Sequence, residues 1–174
     1  MQVPLIPVGA LLVSLALIIT YYDVRYRRIP NAFVLAALAS GLAINSIYNG
    51  WQGLLSSLGG LALAFGLMML LHVFGAMGAG DVKLFGAIGA VVGAPLVTQT
   101  FVVVLLTGGA LALYTIVRSR AFAVTMMRVL QIFVGMLPGW QMPRFAVPAD
   151  RRHTIPYGVA ITFGSLISIY VARA

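Results

Sequence analysis

The 174-residue chain is 61% hydrophobic and 8% charged, with a mean hydropathy of +1.05. A soluble domain carries about 25% charged residues, so this composition excludes a water-soluble protein and leaves room for about six or seven membrane helices of ~20 residues. The net charge of +8 sits between apolar runs, which fits membrane topology and anionic lipid headgroups rather than nucleic acid. Cysteine is absent, and the only acids are Asp23, Asp81 and Asp150. Disulfides, thiolate metal sites and a cysteine nucleophile are therefore excluded. With two histidines and three aspartates, a metal site would consume nearly every available ligand, so neither metal nor cofactor is expected.

The first apolar run, about Val3 to Tyr22, is long enough to span a bilayer. No positive segment precedes it and no small-residue cleavage site follows, so it does not read as a secretory signal peptide. Arg25, Arg27 and Arg28 follow it, which places the N-terminus outside and the first loop in the cytoplasm. A second run, about Phe33 to Tyr48, starts after Ile29-Pro30-Asn31, where proline suits the beginning of a helix. Asn49-Gly50 predicts a short outside turn, and a third run, about Leu54 to Phe74, carries Gly59, Gly60 and Gly66 for close helix contact. After the Gly-rich break from Gly75 to Lys83, Leu84 to Val97 is short for a span, at about 21 Å of helix. Pro95 and Thr98-Gln99-Thr100 are expected to mark its far end. A fifth run covers about Phe101 to Val117, and the last about Ile155 to Val171.

The connection from Arg118 to Thr154 holds six arginines and three prolines. Its apolar middle, Ala121 to Leu137, contains Arg128, which costs about 2.5–3.5 kcal/mol at the centre of a span. That stretch reads as a helix lying in the cytoplasmic interface. The expectation is one all-α integral-membrane domain with six transmembrane helices and both termini outside. Ten of the eleven Lys and Arg residues then face the cytoplasm, with Arg173 alone outside.

Asp23 and Asp81 lie 58 positions apart, yet this topology brings both to the same depth on the cytoplasmic side. Intramembrane acids are costly and usually functional or paired. Two carboxyls in close proximity cannot both ionise. One can draw a proton from water while the other donates to a scissile carbonyl, with no further nucleophile needed. The competing readings are structural: Asp23 pairing with Arg25 or Arg27, and Asp81 capping the fourth helix. Gly78 and Gly80 can take positive φ and let backbone or substrate approach closely, where a Cβ would block it.

Three segments carry a resemblance. Asp23-Val24-Arg25-Tyr26-Arg27-Arg28-Ile29-Pro30-Asn31 resembles the first catalytic box of type IV prepilin peptidases. Gly78-Ala79-Gly80-Asp81-Val82-Lys83 resembles their second, the GxGD motif, and Ile155-Pro156-Tyr157-Gly158-Val159-Ala160 is similar to the Pro-x-Gly stretch opening their last helix. The resemblance implies an inner-membrane aspartic endopeptidase that removes the short basic leader from prepilins and pilin-like precursors at the cytoplasmic face. Asp23 and Asp81 would be the catalytic pair. Pro30, Asn31, Pro156 and Tyr157 would shape the helix ends around them, and Lys83 would pair with Asp81, attract a substrate carboxylate or anchor its loop. The zinc-binding cysteines of the long bifunctional members have no counterpart, so methylation is not implied and the chain looks like the short Flp-pilus form. Archaeal preflagellin peptidases are also short. His72 reads as a satisfied interfacial histidine and Asp150 as a solvated charge or cap.

Two rivals share some features. A presenilin-like or signal-peptide-peptidase-like protease would also use Tyr22-Asp23 with GxGD, but lacks the Arg-rich Ile-Pro-Asn box. A proton-coupled transporter would hold its relay aspartates near mid-membrane, preferably within inverted repeats.

Overall fold

The computed structural model describes residues 4–74, 77–118 and 157–172, and all regular structure among them is helical. The helices are α1 (Leu5–Tyr26), α2 (Asn31–Val73), α3 (Ala79–Val92), α4 (Ala94–Arg118) and α5 (Tyr157–Val171). The interfacial helix expected over 121–137 lies outside the described residues, as do Pro156, Asp150 and Arg173. The chain divides into two compact units, Met1–Gly108 with Pro156–Ala174, and Gly109–Ile155. Of the second, only the end of α4 is described, where Thr115 Oγ1 donates to the Leu111 carbonyl at 2.8 Å. Everything below concerns the first unit.

Among the described residues, three stretches are long and apolar enough to cross a membrane: Ile6–Tyr26, Asn31–Val73 and Ala94–Thr115. The second is a hairpin. Gly50 takes φ 58° and ψ −141°, a conformation largely confined to glycine. Asn45 Nδ2 then donates to Ser57 Oγ at 2.8 Å, although twelve residues of straight helix would separate them by about 18 Å. The two arms, 31–49 and 51–73, are each about as long as a span requires. The turn expected at Asn49-Gly50 is therefore present.

The arms bury small and polar residues (Gly41, Asn45, Gly53, Ser57, Gly60, Ala64) and turn Leu35, Ile47, Leu55 and Leu58 outward. That inversion suits a lipid surround, where small side chains admit close backbone contact and large apolar ones face the tails. The contact of α2 with α3 is reciprocal: a Cβ on Gly60 would overlap the Gly89 carbonyl, and one on Gly89 the Gly60 carbonyl.

α3 is nearly all buried, and its 14 residues reach about 21 Å, short of a ~30 Å hydrocarbon core. Its last carbonyls, which no helix can satisfy internally, are met from α2. Asn45 Nδ2 reaches the Ala90 and Val91 carbonyls at 3.0 and 3.1 Å, and Ser57 Oγ donates to Ala90 at 2.8 Å.

Two boundary expectations need correction. The fourth apolar run does not continue to Val97 but breaks at Gly93, with φ 77° and ψ 158°, where a Cβ would also press on Ser56 Oγ. Pro95 thus sits in the first turn of α4, where its missing N–H costs no hydrogen bond. Thr98–Thr100 lies inside that helix rather than ending the previous one. Uniform hydropathy across 84–97 conceals the break, because glycine reads as apolar filler.

α4 and α5 run antiparallel. Thr100 Oγ1 is 2.9 Å from Ser168 Oγ, and Thr107 Oγ1 reaches the Ala160 carbonyl at 3.2 Å. Gly164 lets the two helices close, since a Cβ there would lie 2.9 Å from Val104 Cα. α5 also packs antiparallel on α1. Six helical segments therefore alternate in direction, which brings the end of α1 and the starts of α3 and α5 to one end of the unit.

Candidate active site

Asp23 lies in the last turns of α1. The helix stops because Arg27 turns left-handed (φ 53°, ψ 35°) and its N–H returns to the Asp23 carbonyl at 3.1 Å. That conformation costs a non-glycine residue about 1–2 kcal/mol. The neighbouring Tyr22 ring packs on Phe33 (centroids 5.3 Å) and Tyr26 (5.6 Å), fastening the end of α1 to the start of α2. Asp23 itself is only 8% exposed. Its Oδ2 accepts the Gly158 N–H at 2.8 Å, with the Val159 N–H also directed to it and the Arg27 charge acting on it. The first N–H groups of α5 thus meet a carboxylate, as an open helix N-terminus favours. Gly158 has no alternative size: a Cβ would stand 2.8 Å from Asp23 Oδ2 and 3.0 Å from Ile19 Cγ2.

Asp81 is the third residue of α3, not its N-cap. Gly78 is the N-cap, and Asp81 Oδ2 accepts its N–H at 3.1 Å, while the Asp81 N–H returns to the Gly78 carbonyl at 3.1 Å. With no side chain at Gly78, this is the return half of a capping box. Neither glycine of the motif uses the positive φ open to it. Gly78 has φ −78° and ψ 153°, the ordinary extended N-cap geometry, and Gly80 is helical. Size still matters at Gly78, where a Cβ would lie 3.2 Å from Asp81 Oδ2. At Gly80 the nearest atom would be Ile29 Cβ at 3.7 Å, an ordinary contact.

The fold brings three of the expected residues together. Asp23 and Asp81 are close enough for their charges to act on each other, and the half-buried Tyr157, first residue of α5, feels the charge of Asp81. The Tyr157 ring also faces Gly108 on α4, where a Cβ would sit 3.8 Å from Cδ1 and Cε1. Pro30 caps α2 and Asn31 is its exposed first residue. Neither is seen against the aspartates among the described residues; the preceding Ile29 is the residue nearest to Gly80. Lys83 is exposed and two positions past Asp81, on the opposite side of the helix. No ion pair joins it to Asp81 among the described residues. Two further residues approach the aspartates: Gly158, and His72 through the Met77–Gly78 peptide. Gly158 stands within the Pro-x-Gly stretch, but only tertiary contact gives it Asp23 as a partner.

A model of the type IV leader peptidase family matches residues 10–113, a range that holds both aspartates. The chain is also similar to the prepilin leader peptidase/N-methyltransferase of Bacillus subtilis (strain 168), 32% identical over 109 residues. That alignment covers 59% of this chain and 43% of the relative, so the chain spans less than half the length of that protein. No solved structure matches.

Proposed function

Because the chain belongs to the type IV leader peptidase family, we propose that it is a membrane aspartic endopeptidase. Its substrates are type IV or Flp prepilins and pilin-like precursors, whose short basic leader it removes. The observation that carries this reading is the meeting of Asp23 and Asp81, two of only three acids in the chain, where α1, α3 and α5 converge. A mid-depth relay would not gather both acids at helix ends.

In this mechanism the two carboxyls hold one proton between them, since like charges in a low-dielectric site cannot both persist. The ionised one takes a proton from a water molecule as its oxygen bonds to the scissile carbonyl carbon. The protonated one gives its proton to the carbonyl oxygen. When the tetrahedral adduct collapses, the C–N bond breaks, the leaving nitrogen takes a proton from one carboxyl, and the adduct returns the other's. The pair titrates as a unit, and no metal or cofactor enters.

Basic residues support a cytoplasmic site in the inner membrane. Arg25, Arg27, Arg28 and Lys83 all flank the end of the unit where the aspartates lie, as the positive-inside bias requires. In the sequence, six further Arg residues between 118 and 152 add to the positive charge, which suits anionic headgroups. Six spans with both termini outside complete the arrangement. Methylation is not part of the proposal, because the chain has no cysteine for the zinc-binding insertion.

Co-expression with a Flp-type prepilin tests this directly, scoring leader loss by mass for wild type and for Asp81→Asn. Processing by wild type alone supports both the peptidase and the role of Asp81. Full processing by Asp81→Asn removes the dyad.

A further inference from the structure

His72 has a geometry that an anchoring histidine does not require. It stands in the last turn of α2, and its Nδ1 is 2.8 Å from the Met77 carbonyl oxygen. A carbonyl only accepts, so Nδ1 carries the proton. The next atom group along the chain is the N–H of Gly78, which belongs to the same peptide unit and donates to Asp81 Oδ2 at 3.1 Å. One peptide therefore stands between the imidazole and the carboxylate, bonded on both sides.

We propose that His72 is a positioning residue for Asp81, acting through the Met77–Gly78 peptide. This inference rests on the peptidase reading above and deepens it. A trans peptide is planar, and its C=O and N–H point in opposite directions. Holding the oxygen therefore aims the hydrogen. No cis bond occurs among the described residues, so this rule applies here.

The bond to the oxygen also polarises the amide and strengthens its N–H as a donor, as in other hydrogen-bonded chains. The need for such a hold is visible in the sequence. The connection between α2 and α3, residues 74–78, contains two glycines, which lose more conformational freedom on ordering than any other residue. Left to itself, such a segment would present the Gly78 N–H in many directions. The His72 bond closes this segment from the preceding helix, just before the turn that carries Asp81.

The test compares three variants of the full-length protein in membranes, with prepilin processing followed at several substrate concentrations. Asparagine places its amide nitrogen about where Nδ1 stands, glutamine about where Nε2 stands, and leucine offers no donor. His72→Leu and His72→Gln are expected to lower kcat about tenfold or more with KM little changed, since a displaced catalytic group costs up to ~10²-fold. His72→Asn should recover most of that loss. Equal activity in all variants and wild type overturns the inference. So does an equal loss in all three, because the donor position would then be irrelevant. If His72→Leu fails to accumulate, the asparagine–glutamine pair decides: only asparagine above glutamine agrees with the proposal. Failure of the wild type to process any precursor would instead overturn the peptidase reading itself.

Discussion

Replacing Asn45 by leucine keeps the branched shape of a buried side chain, with some added volume, while removing its hydrogen bonds. Nδ2 lies within bonding distance of three acceptors, Ser57 Oγ and the Ala90 and Val91 carbonyls. It has two hydrogens, so two full bonds are lost. Bonds between membrane helices average about 0.6 kcal/mol and reach about 1.7, which gives a loss of roughly 1–3 kcal/mol. The carbonyl of Ala90 keeps the Ser57 hydroxyl, whereas that of Val91 is left at an open helix end inside an apolar surround. One term runs the other way. Asn45 Oδ1 is buried without a partner among the described residues, and leucine removes that burden, returning on the order of 1 kcal/mol. Those two terms leave roughly 0–2 kcal/mol, and the stranded Val91 carbonyl adds to the cost, so the net expectation is a destabilisation of about 1–2 kcal/mol, read as an earlier unfolding midpoint in a denaturing-detergent titration. Peptidase activity in the folded fraction should fall less, since Asp81 sits at the other end of α3. A midpoint equal to or above that of wild type would refute the claim that the end of α3 depends on this donor.

Gly158→Ala is expected to cut kcat on the order of 10²-fold, because the new Cβ presses on Asp23 Oδ2. Adding Ile19→Leu removes the second obstruction, the Ile19 Cγ2 methyl, so recovery in the double variant would assign the loss to crowding instead. Gly80→Ala should be tolerated in processing assays, and up to about 1 kcal/mol more stable, since the position is helical and uncrowded. A large loss there would mean that substrate, not the fold, requires the missing side chain. Asp23→Asn should abolish processing while its unfolding midpoint stays near that of wild type; retained cleavage counts against the dyad.

Much of this architecture is legible from hydropathy and punctuation. The runs at 3–22, 33–48 and 54–74 appear as α1 and the two arms of α2, and Asn49-Gly50 marks the reversal because only glycine tolerates its φ and ψ. Gly93 makes an equally sharp break, yet it stands in an unbroken apolar context with no polar neighbour to flag it. The GxGD glycines mislead in the opposite sense. Their spacing suggests unusual backbone angles, whereas Gly78 is an ordinary N-cap whose value lies in its size and its N–H. Lys83 looks adjacent to Asp81 in the sequence, and helical periodicity carries it away. The contacts of Asp23 with Gly158 and of His72 with Met77 depend on how chain segments pack, which local pattern does not encode.

The two aspartates differ in when they can be secured during synthesis. Asp81 finds its partner three residues away, within a single turn that forms as soon as α3 is made. Asp23 waits for a glycine 135 residues further along, in α5. At ribosomal speeds of about 5–20 residues per second, that interval is roughly 7–27 s. From the synthesis of Asp81 onward the growing polypeptide carries both acids but not the element that seats the first. On the proposed reading, the aspartate pair stays unarmed until α5 has been made and packed, so a chain still in synthesis does not cut its neighbours.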